Sequence, residues 1–294
     1  GNMDFRGKNV VVLGVADASS IGWAIAKAFA SRGAQVTIGH QERFAARVGL
    51  LLRDHAGVAA GRCDVLDPAE MIEFFRAHES IDVLVHAIGH APPELFTRAP
   101  SEIRDHAFGD ALRVSALSLS TVLRHARPSL RRGASVITLT YQASQRVAAF
   151  YGAMSVAKAA LECLVRELAV ELGPSGIRVN AISPGYIKTI AALGINVALT
   201  APGVELKSFH EPALDRLIAG ARSDIATGAK DQWTVVQELA EAVAARAAEK
   251  SALHENVSAD DVAGCALFLG SEHALRITGQ IIHVDAGYSI RDSF

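Results

Sequence analysis

Val10-Val11-Val12-Leu13-Gly14-Val15-Ala16-Asp17-Ala18-Ser19-Ser20-Ile21-Gly22 is the stretch on which the fold turns. Four apolar residues in a row, three of them β-branched, read as a strand buried on both faces. Gly14 allows a tight turn at the strand end. From Ser20 onward Ile21, Ala24, Ile25, Ala28 and Phe29 recur at helical spacing until Arg32-Gly33. A strand that runs through a glycine turn into a helix presents free N–H groups at the positive end of a helix dipole, a setting suited to phosphate. The glycines are not spaced as G-x-G-x-x-G, and ordinary strand–helix turns also carry glycine, so this turn alone decides little.

Working outward, the same alternation repeats. Val36–Gly39, Val58–Cys63, Ile81–His86, Ser135–Leu139, Ile177–Ile182 and Gln280–Val284 are short runs rich in valine and isoleucine. Helical patterns lie between them, one expected from Tyr151 to Gly173, where Gly173-Pro174-Ser175-Gly176 stops it. Seven strands alternating with helices predict an α/β fold of Rossmann type. The expected architecture is a doubly wound, seven-stranded parallel sheet with helices on both faces and ligands at the carboxyl ends of the strands. Segment 196–257 breaks the rhythm: it holds no convincing strand and is too long to stay structureless in a compact domain. Trp233, Val236, Leu239, Ala240, Val243 and Ala247 predict a helix over 230–250, and a shorter one is expected over 212–221. The segment is expected as a helical insertion within a single domain spanning 3–294. It is either a hairpin packed on that domain or a lid over substrate. Gly1 and Asn2, ahead of Met3, read as an expression scar.

Half of the 294 residues are hydrophobic and a fifth are charged, with a net charge of -2. No run of basic residues exceeds Arg131-Arg132, which argues against a nucleic-acid partner. The three cysteines, Cys63, Cys163 and Cys265, are far apart and suggest a reducing compartment. No apolar run approaches the ~18 residues of a membrane span. A cytoplasmic protein without a membrane partner is expected. His86 and His90 are four apart, but at a strand end and not along a helix, so no metal site is expected.

Chemistry gathers at the strand ends. Asp64 follows the third strand, where a carboxylate can accept a hydrogen bond from an adenine amino group. Ile88-Gly89 follows the fourth, where glycine permits close approach to a ribose. After the fifth strand comes Tyr151-Gly152-Ala153-Met154-Ser155-Val156-Ala157-Lys158, with Tyr141 ten residues before Tyr151. On one helix Tyr151 and Lys158 would be two turns apart and share a face. The cation would favour a phenolate and could bind ribose hydroxyls. The tyrosine O–H could donate to a carbonyl oxygen that becomes negative during hydride addition. An isolated Tyr/Lys pair is more simply a core tyrosine and a lysine snorkelling to solvent. Its place after the fifth strand of a nucleotide-binding pattern makes it candidate machinery.

Together these stretches resemble the NADH-dependent enoyl-acyl-carrier-protein reductases, a branch of the short-chain dehydrogenase/reductases. The resemblance rests on Gly14-Val15-Ala16 with Ser20-Ile21, Cys63-Asp64-Val65, Tyr141 with the Tyr151–Lys158 spacing, and Arg178-Val179-Asn180-Ala181-Ile182-Ser183. Thr189 to Ile195 and His283 to Ile290 add to it. It covers Gly7 to Ile195 and Ser258 to Ile290. The six-residue gap between Tyr151 and Lys158 is its most specific element. Ordinary short-chain dehydrogenases would need Tyr at position 154, where Met154 stands, a Ser about where Tyr141 stands, and an Asn in place of Ser115.

The resemblance implies that Tyr151 polarises a thioester carbonyl, Lys158 binds the nicotinamide ribose, and Tyr141 lines the acyl pocket with Ala91. Gly14, Ser20, Ile21, Gln41, Asp64, Val65, Ile88, Gly89, Ile187 and Thr189 would contact NAD. It further implies NADH-dependent reduction of a trans-2-enoyl thioester on acyl-carrier protein, and a homotetramer. Gln41 suits a free ribose hydroxyl, and Glu42 is expected to repel the 2′-phosphate of NADPH. The chain departs from the family at His86-Ala87-Ile88-Gly89, where the family has His-Ser-Ile-Gly, and at Ser183-Pro184-Gly185-Tyr186, which follows the ordinary order. The long segment after Ile195 is the third departure. Two other functions stay open. Ser183-Pro184-Gly185 suits a short-chain carbonyl reductase, and a dinucleotide-binding regulator would keep Gly14 and Asp64 without needing Tyr151 or Lys158.

Overall fold

The computed structural model describes residues 3–291; Gly1, Asn2 and the 292–294 end of the expected domain lie outside the described residues. Its strands are β1 (Asn9–Leu13), β2 (Gln35–His40), β3 (Val58–Arg62), β4 (Ile81–His86), β5 (Leu130–Leu139), β6 (Arg178–Pro184) and β7 (Ile281–Val284). They form one sheet in the order β3-β2-β1-β4-β5-β6-β7, every pair parallel. Each expected run is a strand, with ends shifted by a few residues. β5 reaches back to Leu130, through a register irregularity opposite Ile81 and Val83.

Alternation along the strands explains the layers. Val10 and Val12 of β1 enter one core with Val83 and Val85 of β4, while Val11 and Leu13 enter the other with Leu84. The helices are α1 (Ile21–Ala30), α2 (Ala45–Leu52), α3 (Pro68–Arg76), α4 (Glu94–Thr97), α5 (Asp105–Leu112) and α6 (Ser118–Ala126). After them come α7 (Met154–Leu172), α8 (Ile190–Thr200), α9 (Pro212–Ala226), α10 (Gln232–Lys250) and α11 (Ala259–Gly270). The core formed by Trp23, Ile25 and Phe29 of α1 with Val262 and Leu267 of α11 covers one face. Met71 and Phe74 of α3, Leu119 of α6, and Leu161 and Val165 of α7 cover the other. Strand order reverses between β1 and β4, which opens a crevice at their carboxyl ends.

Two expectations need correction. The helix expected from Tyr151 starts at Met154. Tyr151 closes a separate 3₁₀ turn, Ala149–Tyr151, and Gly152, at φ +58° and ψ -149°, breaks the chain between the two. The segment expected to begin at 196 has no boundary there, because α8 runs across it from Ile190 to Thr200. Thr189 caps that helix, its Oγ1 accepting the Ala192 N–H at 3.2 Å. Farther on, α9 and α10 occupy the two stretches expected as helices. No helix among the described residues is long and apolar enough to cross a membrane.

Candidate active site

The turn from β1 to α1 is built by its own side chains. Gly14 has φ +96°, and a Cβ there would collide with the Ala87 carbonyl oxygen, so glycine is demanded by the packing of this turn on the β4 end. Ser20, nearly buried, accepts the backbone N–H groups of Ala16 at 3.0 Å and Asp17 at 3.1 Å. α1 then begins at Ile21 with no side-chain cap and no acidic residue in its first turn. Its leading N–H groups are therefore available to an anion at the positive end of the helix. The loop after β6 comes down beside this turn, with the Ile190 N–H donating to Ser19 Oγ at 3.2 Å. Ile187 from that loop and Ile21 pack against the same core.

At the far end of the crevice Gln41 Nε2 donates to Asp64 Oδ2 at 3.0 Å, and Asp64 Oδ1 accepts the Leu66 N–H at 2.9 Å. Val65 is buried beside them. Arg43 Nε donates to Gln41 Oε1 at 3.0 Å. Glu42 does not guard this place as expected: its exposed carboxylate lies 3.2 Å from Arg62 Nε. Gln41 thus stands between two charges, the Asp64 carboxylate at its amide nitrogen and the Arg43 cation at its amide oxygen. The uncapped helix start, the switch-point crevice and the Gln41–Asp64 pair together suit a dinucleotide, with anion donors at one end and a ribose- or adenine-facing amide and carboxylate at the other.

Beyond β4, Ile88 packs on the α7 side of the sheet, and a Cβ on Gly89 would lie 3.7 Å from Lys158 Nζ. Lys158 is buried, and its ammonium donates to the Leu139 carbonyl oxygen at 2.9 Å. Burial pushes its pKa down to about 8, with Glu162 pulling the other way. Because Gly152 separates Tyr151 from α7, the two side chains do not share a helix face. A Cβ on Gly152 would collide with the Leu95 carbonyl oxygen, which instead accepts the Ala153 N–H at 2.8 Å. Tyr151 is thus turned toward Tyr141, ring centroids 4.7 Å apart at 43°, and Phe96, 6.4 Å away. Burial drives both phenols above the usual tyrosine range, so each keeps its proton. The phenolate expected beside Lys158 gives way to two hydroxyl donors.

Ala91 lies half-buried against the apolar cluster of Leu95, Phe96, Met154 and Leu199 that also backs Tyr151. Phe209, Leu214 and Ile218, which introduce and form α9, complete this cluster. Three further polar residues stand at the site: His86 and Ser115, noted in the sequence without a role, and Glu162, which nothing in the sequence singled out. His86 is fully buried, its Nδ1 2.9 Å from Thr138 Oγ1 and its Nε2 2.8 Å from Ser118 Oγ. Burial, then the nearby Lys158 charge, pushes its pKa down to about 3, so the ring is neutral. Ser115, within a π-helical turn, accepts the His90 N–H at 2.9 Å and donates to the His90 carbonyl oxygen at 2.7 Å. The third, Glu162, follows Lys158 by one helical turn.

Known proteins share this arrangement of elements. The family model described as "Enoyl-(Acyl carrier protein) reductase" matches residues 14–208 and 223–289, leaving out 209–222 where α9 begins. The enoyl-[acyl-carrier-protein] reductase [NADH] 1 of Rhizobium meliloti is 34% identical, over 96% of this chain and 90% of its own. Its counterpart from Synechocystis is 32% identical, over 98% of each. Among solved structures, the NADH enoyl-[acyl-carrier-protein] reductase of Aquifex aeolicus superposes with a TM-score of 0.79 at 28% identity, over 99% of both chains. The enzyme of Anaplasma phagocytophilum, solved in complex with NAD, gives 0.79 at 29% identity, over 99% of this chain and 97% of its own. With the family model matching most of its length, this chain belongs to the enoyl-(acyl carrier protein) reductase family.

Proposed function

We propose that this chain is an NADH-dependent reductase of trans-2-enoyl thioesters carried on acyl-carrier protein, acting in fatty-acid or related acyl biosynthesis. The observation that carries the reading is the pair of tyrosines, Tyr141 and Tyr151, with ring centroids 4.7 Å apart just beyond the end of β5, where the buried Lys158 ammonium donates to the Leu139 carbonyl oxygen. Reduced nicotinamide, when bound, supplies a hydride to the β-carbon of the enoyl group. The Tyr151 O–H donates to the thioester carbonyl oxygen as that atom gains enolate charge, before the α-carbon is protonated. A neutral donor in a desolvated pocket strengthens its bond most when charge develops, which is the condition for accelerating the chemical step. Lys158, freed from Leu139 or sharing with it, can donate to the ribose hydroxyls. Gly14, Ser20 and the Ile21 N–H hold the pyrophosphate; Gln41, Asp64 and Val65 hold the adenosine; Ile88, Gly89, Ile187 and Thr189 flank the nicotinamide half. Tyr141 and Ala91 line the acyl pocket.

The α9–α10 cover acts as a lid on that pocket. Its support is the packing of Phe209, Leu214 and Ile218 into the cluster that backs Tyr151. A cytoplasmic location and a homotetramer complete the reading, both resting on the family. One observation favours a second activity, since Ser183-Pro184-Gly185 at the end of β6 is the order found in carbonyl reductases. Absorbance of NADH with trans-2-enoyl thioesters on acyl-carrier protein, against 3-oxoacyl thioesters, separates the two. NADH consumption is expected with the enoyl series alone. Turnover only of 3-oxoacyl thioesters would make the chain a carbonyl reductase, and NADH binding without turnover would make it a regulator.

A further inference from the structure

Glu162 is 5% exposed, yet no lysine, arginine or histidine among the described residues pairs with it at salt-bridge distance. A buried carboxylate is costly unless donors surround it, and a leucine would fill the same place on the apolar face of α7. Its three partners come from one short segment. Glu162 Oε1 accepts from Thr140 Oγ1 at 2.8 Å and Ser144 Oγ at 2.5 Å, and Oε2 accepts from Gln145 Nε2 at 3.3 Å. Only an acceptor-only group suits three converging donors; a glutamine would turn N–H groups toward at least one of them. The bonded residues bracket Tyr141, and Lys158, one turn earlier on α7, takes hold of the preceding strand end through the Leu139 carbonyl oxygen. α7 thus grips the end of β5 at four points, with Tyr141 between them, its ring against Tyr151.

We propose that Glu162 is a positioning residue for the reduction, clamping the segment that carries Tyr141 and setting a negative charge one helical turn from Lys158. The inference rests on the enoyl-reductase reading above. Glu162 is the acidic group that offsets the burial of Lys158. The other titratable groups around that ammonium do not change charge between pH 6 and 10: His86 on β4 is neutral, and the phenols of Tyr141 and Tyr151 keep their protons. Lys158 is cationic below about pH 8, so affinity for NADH falls as pH rises through that value. Removing the neighbouring negative charge lowers the lysine pKa further, and the fall then comes at lower pH.

Two variants weight charge and clamp differently. Glu162→Gln removes the charge and the bond from Gln145, leaving its amide oxygen to accept from Thr140 and Ser144; Thr140→Val with Ser144→Ala keeps the carboxylate and removes two bonds of the clamp. NADH dissociation constants from fluorescence, measured from pH 6 to 10, and single-turnover rates with an enoyl thioester are the readouts. Glu162→Gln should move the alkaline loss of NADH affinity down by about one pH unit or more, the size expected for one charge a helical turn away in protein. The double variant should leave that curve in place and slow hydride transfer about tenfold, the loss expected when a reacting constellation is loosened. A Glu162→Gln curve that coincides with wild type overturns the charge link, and a double variant with the wild-type rate overturns the clamp. Should Glu162→Gln fail to fold, the double variant still decides. A wild type that binds NADH but reduces no enoyl thioester rejects the enzyme reading instead, which the pH curve distinguishes.

Discussion

The strand-end edge and the α9–α10 cover meet in the cluster around Tyr151 but are held in different ways. The edge is fixed from within: Gly14 against Ala87, His86 between Thr138 and Ser118, Glu162 beneath Thr140 and Ser144. His86, Ser118, Thr138, Thr140 and Glu162 are buried and bonded to one another in these groups, so each has one low-energy arrangement. The cover is attached chiefly by side-chain packing, with Phe209, Leu214 and Ile218 in the apolar cluster and Val235, Val236, Leu239 and Ala240 buried along α10, and by the Lys207 N–H donating to the Thr97 carbonyl oxygen at 2.8 Å. Of the exposed ion pairs, Lys188–Glu241 at 2.5 Å ties α10 to the loop after β6, while Lys230–Glu238 at 2.6 Å and Arg246–Glu211 lie within the cover. Such pairs contribute about 0–1 kcal/mol each. An edge held by buried hydrogen bonds beside a cover held mainly by side-chain packing is the contrast that the proposed lid needs, with the cofactor in register and an acyl chain admitted.

The largest test of this contrast is acid stability, and it falls on the edge. His86 has a folded pKa near 3 against an unfolded value near 6.5, so the unfolded chain binds its proton first as pH falls. The contribution of the neutral ring is intact above pH 6.5 and lost progressively toward pH 3, by up to about 5 kcal/mol. Urea midpoints of wild type and His86→Gln, compared from pH 7 to 4, should diverge in slope. Parallel slopes would mean that the histidine does not titrate on unfolding and that the edge is looser than described.

Next comes Ile218→Ala in the cover. Deleting this buried side chain leaves a cavity worth about 2–4 kcal/mol, but the loss should be local. Hydrogen exchange should quicken across 204–250 while the urea midpoint of the whole protein barely moves. A full drop in the midpoint with unchanged exchange in α9 and α10 would make the cover an ordinary part of the core. Addition of NADH with an acyl ligand should restore protection, and a cover equally protected with and without ligand would contradict the lid.

The smallest effect concerns the adenosine end. NADPH should bind about tenfold more weakly than NADH, roughly 1.4 kcal/mol, because Asp64 and Glu70 gather negative charge there and Arg62 is engaged by Glu70 and Glu42. Arg43→Ala should widen the gap, since that cation is the group beside Gln41 able to meet a 2′-phosphate. Equal titration curves for the two cofactors would sink the assignment of Gln41 and Asp64.

The same contrast governs what can be read from residues alone. Strands buried on both faces announce themselves as Val/Ile runs, and parallel order then places Gly14, Gln41, Asp64, Gly89 and Tyr141 on one edge without further information. The Tyr151–Lys158 relation misleads because helical periodicity continues through 151–154, while Gly152 is set by contact with Leu95, far away in sequence. Glu42 misleads because its partner, Arg62, lies on the next strand. The roles of His86 and Glu162 depend on burial, which neither residue type suggests. In the cover, helices are legible from their spacing, but the place where α9 sits depends on three apolar side chains meeting α4 and α7.

Single-turnover oxidation of NADH by Tyr151→Phe with a saturating trans-2-enoyl thioester tests the chemistry at its centre. The ring and its packing on Tyr141 and Phe96 remain, so folding and NADH affinity should hold. Loss of the one hydroxyl aimed at the developing enolate oxygen should slow the chemical step by about 10²–10³, or roughly 3–4 kcal/mol. A Tyr151→Phe protein that oxidises NADH at the wild-type rate would contradict the assignment and move the donor to Tyr141.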